Sequence, residues 1–594
     1  MREISRLFDF PYHQLKNYKL DNALVSKQDG KWIKTSTEKY ITQANALSCG
    51  LLKLGVEKND KIAIITTNNR TEWNICDIGI LQTGAQNVPV YPTISAEDYA
   101  YILNHSEAKF CFISDAVIFE KLNKVKDSIP SLKEIYSFEN VPGCKSWNEV
   151  LEMDANSEFQ AEVEKRKEGV KTTDLATIIY TSGTTGRPKG VMLSHQNILS
   201  NVLDSMDRVP LSPGQGIAMS FLPCCHVFER MLLYLYQYLG IGITYAESIE
   251  KISDNLKEVQ PNVMTVVPRL LEKVYDKIYA KGTELTGFKK KLFFWALELG
   301  EQYQPYGANG MFYHLKLAVA RKLIFSKWQE ALGGNLELLV SGSAALQPRL
   351  TTVFTAAGIP VMEGYGLTET SPVISVNCEK NNGFRIGTVG RPIQNVEVKI
   401  AEDGEILCKG PNVMMGYYKD ADKTAEEIKN GYFHTGDIGH IDADGFLKIT
   451  DRKKEMFKTS GGKYIAPQMI ENTMKQSRFI EQIMVIGEGE KMPAAFIQLN
   501  FDFVKDWAKL HKLNIGTTTE EICKNQDVIN RVQKAIDQIN PQFGKWEMVK
   551  KFELTPDVWS IDAGHLTPTL KLKRKVILEK YKELYQNIYN NVAV

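Results

Sequence analysis

No C-x-x-C pair occurs among the nine cysteines of this 594-residue chain. Their odd number and scatter suggest neither a disulfide framework nor a zinc site. Charge of one sign is also missing: 72 basic and 71 acidic side chains leave a formal charge of +1, without the basic surplus that marks most nucleic-acid binders. No apolar run is long enough to span a membrane. The most apolar stretch, Met231 to Ala246, is broken by Gln237 and two glycines and falls short of the ~20 residues a spanning helix needs, so it reads as a buried helix followed by a strand. The opening MREISRLFDFPYHQL has no apolar h-region of the kind a signal peptide carries. Internal repeats and low-complexity tracts are absent too. These absences predict a reduced, cytoplasmic chain.

What is present is ordinary globular composition, 43% apolar and 24% charged, at a length that suits about four domain-sized units or two unequal domains. From Lys61 to about Ser375, apolar runs such as KIAIIT (61–66), ATIIY (176–180) and LELLV (336–340) alternate with glycine turns and helical stretches. That alternation predicts an α/β fold of layered, mostly parallel sheets with ligands at the strand ends. After about Asn395 the pattern changes to a β-rich segment (VEVKI, GEILCKG, HIDADGFLKIT) with Asp444-Gly445 as a hairpin turn. The charged stretch DRKKE (451–455) follows, and the rest alternates strands and helices. The boundary is placed at 453, giving a large domain over 1–453 and a small α+β domain over 454–594.

An insertion over about 284–328 carries two stripes, Phe288/Leu292/Trp295/Leu299 and Phe312/Leu315/Val319/Leu323, with seven basic and three acidic residues. The spacings predict amphipathic helices. Two placements follow: packed on the core, or lying on an anionic membrane surface or beside an apolar tunnel.

The strongest local signal is YTSGTTGRPKG (180–190) behind a strand. Glycines let the backbone turn tightly and aim amides at an anion, while hydroxyls, Arg187 and Lys189 add donors and charge. A triphosphate needs this, although the Walker A pattern is absent. The segment resembles the signature of the adenylate-forming, AMP-binding superfamily. So do, in order, GYGLTET (364–370), YFHTGD (432–437), DRKK (451–454) and PTLKLKR (568–574). Within it the chain resembles long-chain fatty acid–CoA ligases, through ITDRKKEMFKTSGGKYIAP, the ending PTLKLKR and the basic insertion.

The resemblance implies that 1–453 is an adenylation domain and 454–594 a mobile lid. It implies ATP, Mg²⁺ and CoA as ligands. Thr181, Ser182, Gly183, Thr184, Thr185, Gly186 and Lys189 would hold the phosphates, with Thr184 and Glu369 on the metal. Ser343, Ala344, Gly364, Tyr365, Gly366 and Thr368 would surround the nucleotide, with Tyr365 stacking on adenine. Asp437 and Arg452 would take the ribose. Lys454 would be the hinge, and Lys571, in preference to Lys573, the catalytic lysine. Ser460, Gly461, Gly462 and Lys463 would face CoA, and His226 the acyl pocket. The partners implied are small molecules, not nucleic acid, with a peripheral contact to the inner membrane face suggested by the insertion. Three alternatives stand beside this reading: another acceptor such as an acyl carrier protein, an aromatic acid, or a catalytically dead acyl-nucleotide sensor or membrane-surface scaffold.

Overall fold

A computed structural model describes residues 4–181, 187–561, 563–567 and 571–590. Its contacts group into two compact units, one of Met1–Lys399, Leu407–His434 and Ala443–Leu447, the other of Ile400–Ile406, Thr435–Asp442 and Lys448–Val594.

The first unit is built on two sheets. In the eight-stranded sheet, Lys145–Ser146, Glu134–Ser137, Ala108–Ile113, Lys61–Ile65, Gln86–Val90 and Leu175–Thr181 lie side by side and parallel. Lys189–Ser194 and Gly416–Tyr417 close it antiparallel. In the nine-stranded sheet, Val361–Gly366, Leu338–Ser341, Val263–Val266, Ile217–Ser220, Gly242–Tyr245 and Leu24–Gln28 are parallel. Antiparallel strands finish both of its edges. Strands such as KIAII and VMTV read as continuous apolar runs because both faces of a parallel sheet are covered.

Helix Thr71–Gln82 is buried at every residue, and Val227–Leu239 at all but Tyr238. Both share one apolar cluster with strands of both sheets, where Ile62 and Ile64 of one and Ala218 and Val263 of the other meet Ile78 and Met231. The layers are therefore sheet, helix, sheet. Helices buried all round still carry polar residues here, and the charged pair at their centre is matched. Arg230 Nη2 meets Asp77 Oδ1 at 2.6 Å and Arg230 Nη1 donates to Thr177 Oγ1 at 2.7 Å. Asn87 Nδ2 donates to Asp77 Oδ1 at 2.7 Å, and the Tyr234 hydroxyl donates to Asp77 Oδ2. With its charges matched and both Asp77 oxygens accepting, this network fixes two central helices against Leu175–Thr181, the strand that leads into the glycine turn. The segment Met231 to Ala246 is a helix end and the strand Gly242–Tyr245, as its composition predicts.

The insertion forms Gly287–Glu301, Met311–Ala320, a π turn over Arg321–Phe325, and Ser326–Ala331. The first stripe turns mainly to the core, with Leu299 buried, Trp295 packed against the core and Leu292 half-buried, but the second does not. Phe288 is exposed, and Phe312, Leu315, Val319 and Leu323 all face solvent. The inward line is Leu317, Ala320, Phe325 and Trp328, and the extra residue of the π turn accounts for the step of five from Ala320 to Phe325. MFYHLKLAVA is apolar on both faces, so periodicity alone cannot choose between the lines.

A five-stranded sheet (Glu397–Ile400, Glu405–Lys409, Tyr432–Ile441, Ile428–Lys429, and Leu447–Arg452 on Tyr432–Ile441) occupies the stretch where the division falls. Gly445, in the turn before its last strand, has φ +84°. The second unit continues with a three-stranded sheet of Ile480–Ile486, Ala494–Leu499 and Lys551–Thr555. Strand alternation gives it two cores. Ile483 and Val485 pack with helices Pro467–Met474 and Gln526–Ile539, whereas Met484 and Ile486 pack with Arg574–Lys580 and Lys582–Asn590. The fold is thus α/β in its large unit and α+β in its small one, as expected. No described helix is long and apolar enough to cross a membrane. All nine cysteines are free, and all but Cys144 are buried.

Candidate functional site

The glycine turn is anchored at both ends by sheet. Thr181 ends its strand and pairs with Lys189, the first residue of the antiparallel strand that leaves the turn. Ser182, Gly183, Thr184, Thr185 and Gly186 lie outside the described residues. Beyond them, the Arg187 guanidinium sits 5.3 Å from the Tyr101 ring centre and Lys189 Nζ 5.4 Å from the Tyr417 ring centre. Gly190 allows close packing, since a Cβ there would meet Ile178 Cγ2 at 2.8 Å.

A second group gathers at neighbouring strand ends of the nine-stranded sheet. Leu338–Ser341 runs directly into half-buried Ser343, at φ +70°, and exposed Ala344. The adjacent parallel strand Val361–Gly366 ends with Gly364, Tyr365 and Gly366, the Tyr365 ring buried. Gly366 is required by space, because a Cβ there would lie 1.8 Å from Pro372 O. His226 caps the buried helix Val227–Leu239, its Nδ1 accepting from Phe228 N at 3.2 Å. Phe228 in turn lies where a Cβ on Gly342 would stand, at 3.0 Å, so this helix start abuts the Ser341–Ala344 turn.

Thr368 and Glu369 follow on a short turn, Thr368–Thr370, that packs beside strand Lys189–Ser194. The Tyr417 hydroxyl donates to Glu369 Oε1 at 3.0 Å, and Met414 N donates to Glu369 O at 2.8 Å. Tyr417 also pairs through its backbone with Val191. One tyrosine therefore holds the Glu369 carboxylate, lies against Lys189, and is built into the sheet edge beside the strand leaving the glycine turn. Burial first, and then the Glu369 charge, push its phenol well above the ordinary tyrosine range, so it stays a donor. Sequence reasoning missed Tyr417. Its only signal was the GYY after the apolar run at 413–415, and the contact spans 48 residues of chain.

In the second unit, Asp437 and Arg452 face each other across paired strands, Arg452 Nε 3.4 Å from Asp437 Oδ1. Asp437 is buried, its amide donating to Thr435 Oγ1 at 3.1 Å. Neighbouring Asp451 has its carboxyl pushed up to about 7 by burial, against the amides of Arg452 and Gln468 that donate to it. Lys453 is pinned between Asp403 at 2.6 Å and Glu405 at 2.8 Å, and Lys454 is exposed. Ser460, Gly461, Gly462 and Lys463 make the exposed turn between Phe457–Lys458 and Tyr464–Ile465, with Gly462 at φ +74° and Lys463 Nζ 5.5 Å from the Trp546 ring centre. Lys571 is bonded to Thr567 in both directions: Thr567 N donates to Lys571 O at 2.8 Å, and Lys571 N to Thr567 Oγ1 at 3.0 Å. Lys573 precedes helix Arg574–Lys580, whose first residue is half-buried and ion-paired with Glu455 at 2.9 Å and Glu471 at 2.6 Å. Among the described residues there is no cluster of three metal-ligating side chains.

Comparison with known proteins gives residues 12–418 as an AMP-binding enzyme match and residues 455–593 as an AMP-binding enzyme C-terminal domain match. Long-chain-fatty-acid–CoA ligase FadD15 of Mycobacterium bovis is 34% identical over 567 residues, 95% of this chain and 93% of the relative. Long-chain-fatty-acid–CoA ligase 1 of Homo sapiens is 33% identical over 570 residues, 90% of this chain and 79% of its own length. In fold, the A domain of carboxylic acid reductase from Segniliparus rugosus, solved with AMP and a co-purified carboxylic acid, is similar with a TM-score of 0.74 at 19% identity, over 99% of this chain and 94% of that one. A Mycobacterium tuberculosis fatty acyl CoA synthetase structure gives 0.61 at 18%, over 98% and 100%. Five ordered motifs, Glu369 held beside the strand that begins at Lys189, and matches along nearly the whole chain converge, and the chain belongs to the AMP-binding enzyme family.

Proposed function

We propose that this chain activates a long-chain fatty acid with ATP to an acyl-adenylate and transfers the acyl group to CoA, giving acyl-CoA, AMP and pyrophosphate. The observation that carries the adenylation step is Tyr417, which fastens Glu369 beside the strand leaving the glycine turn and lies under Lys189. The long-chain acid and the CoA acceptor are supported by the relatives at 33–34% identity, both named as such ligases.

In the first step a carboxylate oxygen bonds to the α-phosphorus while the bond to the pyrophosphate oxygen breaks. In the second the CoA sulfur bonds to the acyl carbon, AMP departs, and the thiol proton is released. No protein nucleophile is needed, so the protein acts by position and charge. Thr181 to Gly186 and Lys189 take the β- and γ-phosphates. Glu369, a half-buried carboxylate with a fixed orientation, suits a hard cation, and with Thr184 it would hold Mg²⁺, which when bound offsets charge on the departing pyrophosphate. Ser343, Ala344, Gly364, Tyr365, Gly366 and Thr368 enclose the nucleotide, Asp437 and Arg452 take the ribose hydroxyls, and Lys571 steadies the α-phosphate and the attacking carboxylate. The 454–594 segment moves as a lid about Lys454, Ser460 to Lys463 receive CoA, and His226 borders the acyl pocket. The enzyme meets its sparingly soluble acid in peripheral contact with a membrane.

Mass spectrometry of products from the purified protein with ATP, Mg²⁺, CoA and pooled acids, short to very long and aromatic, tests this. The expected products are long-chain acyl-CoA with AMP and pyrophosphate. Acyl-adenylate without thioester would assign another acceptor, and no ATP consumption with any acid would overturn the reading.

A further inference from the structure

The insertion ends in a helix with an unpartnered apolar face. On Met311–Ala320 and the turn that follows, Phe312 is 84% exposed, Met311 80%, Leu315 60%, Val319 50% and Leu323 50%. Spacings of three and four put Phe312, Leu315, Val319 and Leu323 along one side, while Leu317, Ala320 and Trp328 anchor the other side in the core. Scattered exposed apolar residues need no explanation, but five large ones within thirteen positions form a patch that does. The anchoring is firm, with Arg321 Nε donating to Ala356 O at 2.7 Å and the Tyr313 hydroxyl to Leu299 O at 2.7 Å. The face is thus presented by fixed backbone.

Charge identifies what covers it. Residues 302–329 contain no aspartate or glutamate, but they hold Lys316, Arg321, Lys322 and Lys327. Lys316 follows Phe312 by four positions and Lys322 follows Val319 by three, so both border the apolar line. Neither makes an ion pair among the described residues. The previous helix opens in the same way, with exposed Phe288 followed by Lys289, Lys290 and Lys291. A second copy laid on this face would set lysine against lysine. An anionic lipid surface instead takes up the apolar side chains at the level of the acyl chains and pairs the lysines with headgroups.

We infer that the face of Met311, Phe312, Leu315, Val319 and Leu323, bordered by Lys316 and Lys322, docks this protein on the surface of an anionic lipid bilayer. The inference deepens the membrane contact of the proposed function and rests on that reading only for its purpose, the capture of a lipid-borne acid. The surface itself stands without it.

The test is co-sedimentation of the full chain with phosphatidylglycerol-rich and with purely phosphatidylcholine vesicles. The wild type should bind the anionic vesicles, more weakly as salt rises. K316E/K322E should lose about 25-fold or more there, from about fivefold per basic residue, and change little on neutral vesicles. F312S/L315S should lose about tenfold or more on the anionic vesicles. Circular dichroism and melting of both variants should match the wild type; were F312S/L315S to misfold, the charge variant decides alone. Failure of the wild type to bind, or equal binding by the well-folded variants, overturns the inference. So does a wild-type dimer that F312S/L315S makes monomeric, since the face would then be covered by a second copy. If vesicles are bound but no acid is converted, the ligase reading fails and the docking surface stands.

Discussion

Replacing Glu229 with glutamine should stabilise the protein more and more as pH rises from 5 to 8. Glu229 lies on the buried helix Val227–Leu239, wholly shielded from solvent and without an ion pair among the described residues. The Ser220 hydroxyl donates to one of its oxygens, and Thr265 Oγ1 donates to the other at 2.6 Å. Burial pushes its carboxyl from 4.5 up to about 7, and the two hydroxyls only partly oppose this. The folded protein therefore keeps a proton that the unfolded chain releases above about pH 4.5, so stability falls as pH rises between about 4.5 and 7. A displacement of about 2.5 units amounts to ~3 kcal/mol, fully present above about pH 7.5. Glutamine accepts from one of these hydroxyls through its single amide oxygen and donates an amide hydrogen to the oxygen of the other, and it does not titrate. Hydrogen exchange of amides in Val227–Leu239, read as opening free energy in wild type and Glu229→Gln at pH 5, 6, 7 and 8, measures the difference with intrinsic exchange rates cancelled. Because some of the difference is already present at pH 5, it should grow by ~2.5 kcal/mol across that range, roughly a 70-fold change in relative protection. A constant offset would reflect the two amide hydrogens that must find acceptors. A difference flat in pH would refute the reasoning, because it would mean the native carboxyl is ionised throughout.

Three other substitutions bear on the site and its support. Asp77→Ala strands Arg230 without its counter-charge in the core and should destabilise the first unit by about 3–5 kcal/mol, read by chemical denaturation; a loss under 1 kcal/mol would mean that water reaches the pair. Tyr417→Phe removes one hydrogen bond that orients the Glu369 carboxylate and should raise the Mg²⁺ concentration for half-maximal adenylation by about 10- to 100-fold without altering the fold, whereas an unchanged Mg²⁺ dependence would deny it that positioning role. Lys571→Ala should abolish adenylate formation from ATP yet largely spare thioester formation from supplied acyl-adenylate, and equal loss of both half-reactions would falsify the split of roles.

The parallel strands were legible because both of their faces are covered, so each reads as a largely apolar run, and glycines follow those ending at Thr181 and Ser341. The hairpin at Asp444-Gly445 was legible because turn chemistry is local. Glu369 and Lys189 could be picked out within motifs, yet the connection between them could not, since Tyr417 reaches Glu369 through a sheet edge formed by chain far from both in sequence. The Asp77–Arg230 pair was invisible for the same reason: each residue sits within an apolar helix, and only packing shows that they meet. The second stripe of the insertion was seen correctly as a stripe, but its direction could not be read from a helix apolar on both sides.

By itself, then, the sequence determined what depends on neighbours along the chain: strands and turns, the glycine-rich anion loop, the order of five motifs, and through them the family and the reaction class. Tertiary structure alone decided what depends on which side of an element meets which partner. It set Tyr417 between Glu369 and Lys189, buried Glu229 without a cation among the described residues, and turned Phe312, Leu315 and Val319 outward. Local pattern fixes the period of a helix or strand but not its rotation about its own axis. That rotation is chosen by the total area buried when all the elements pack together.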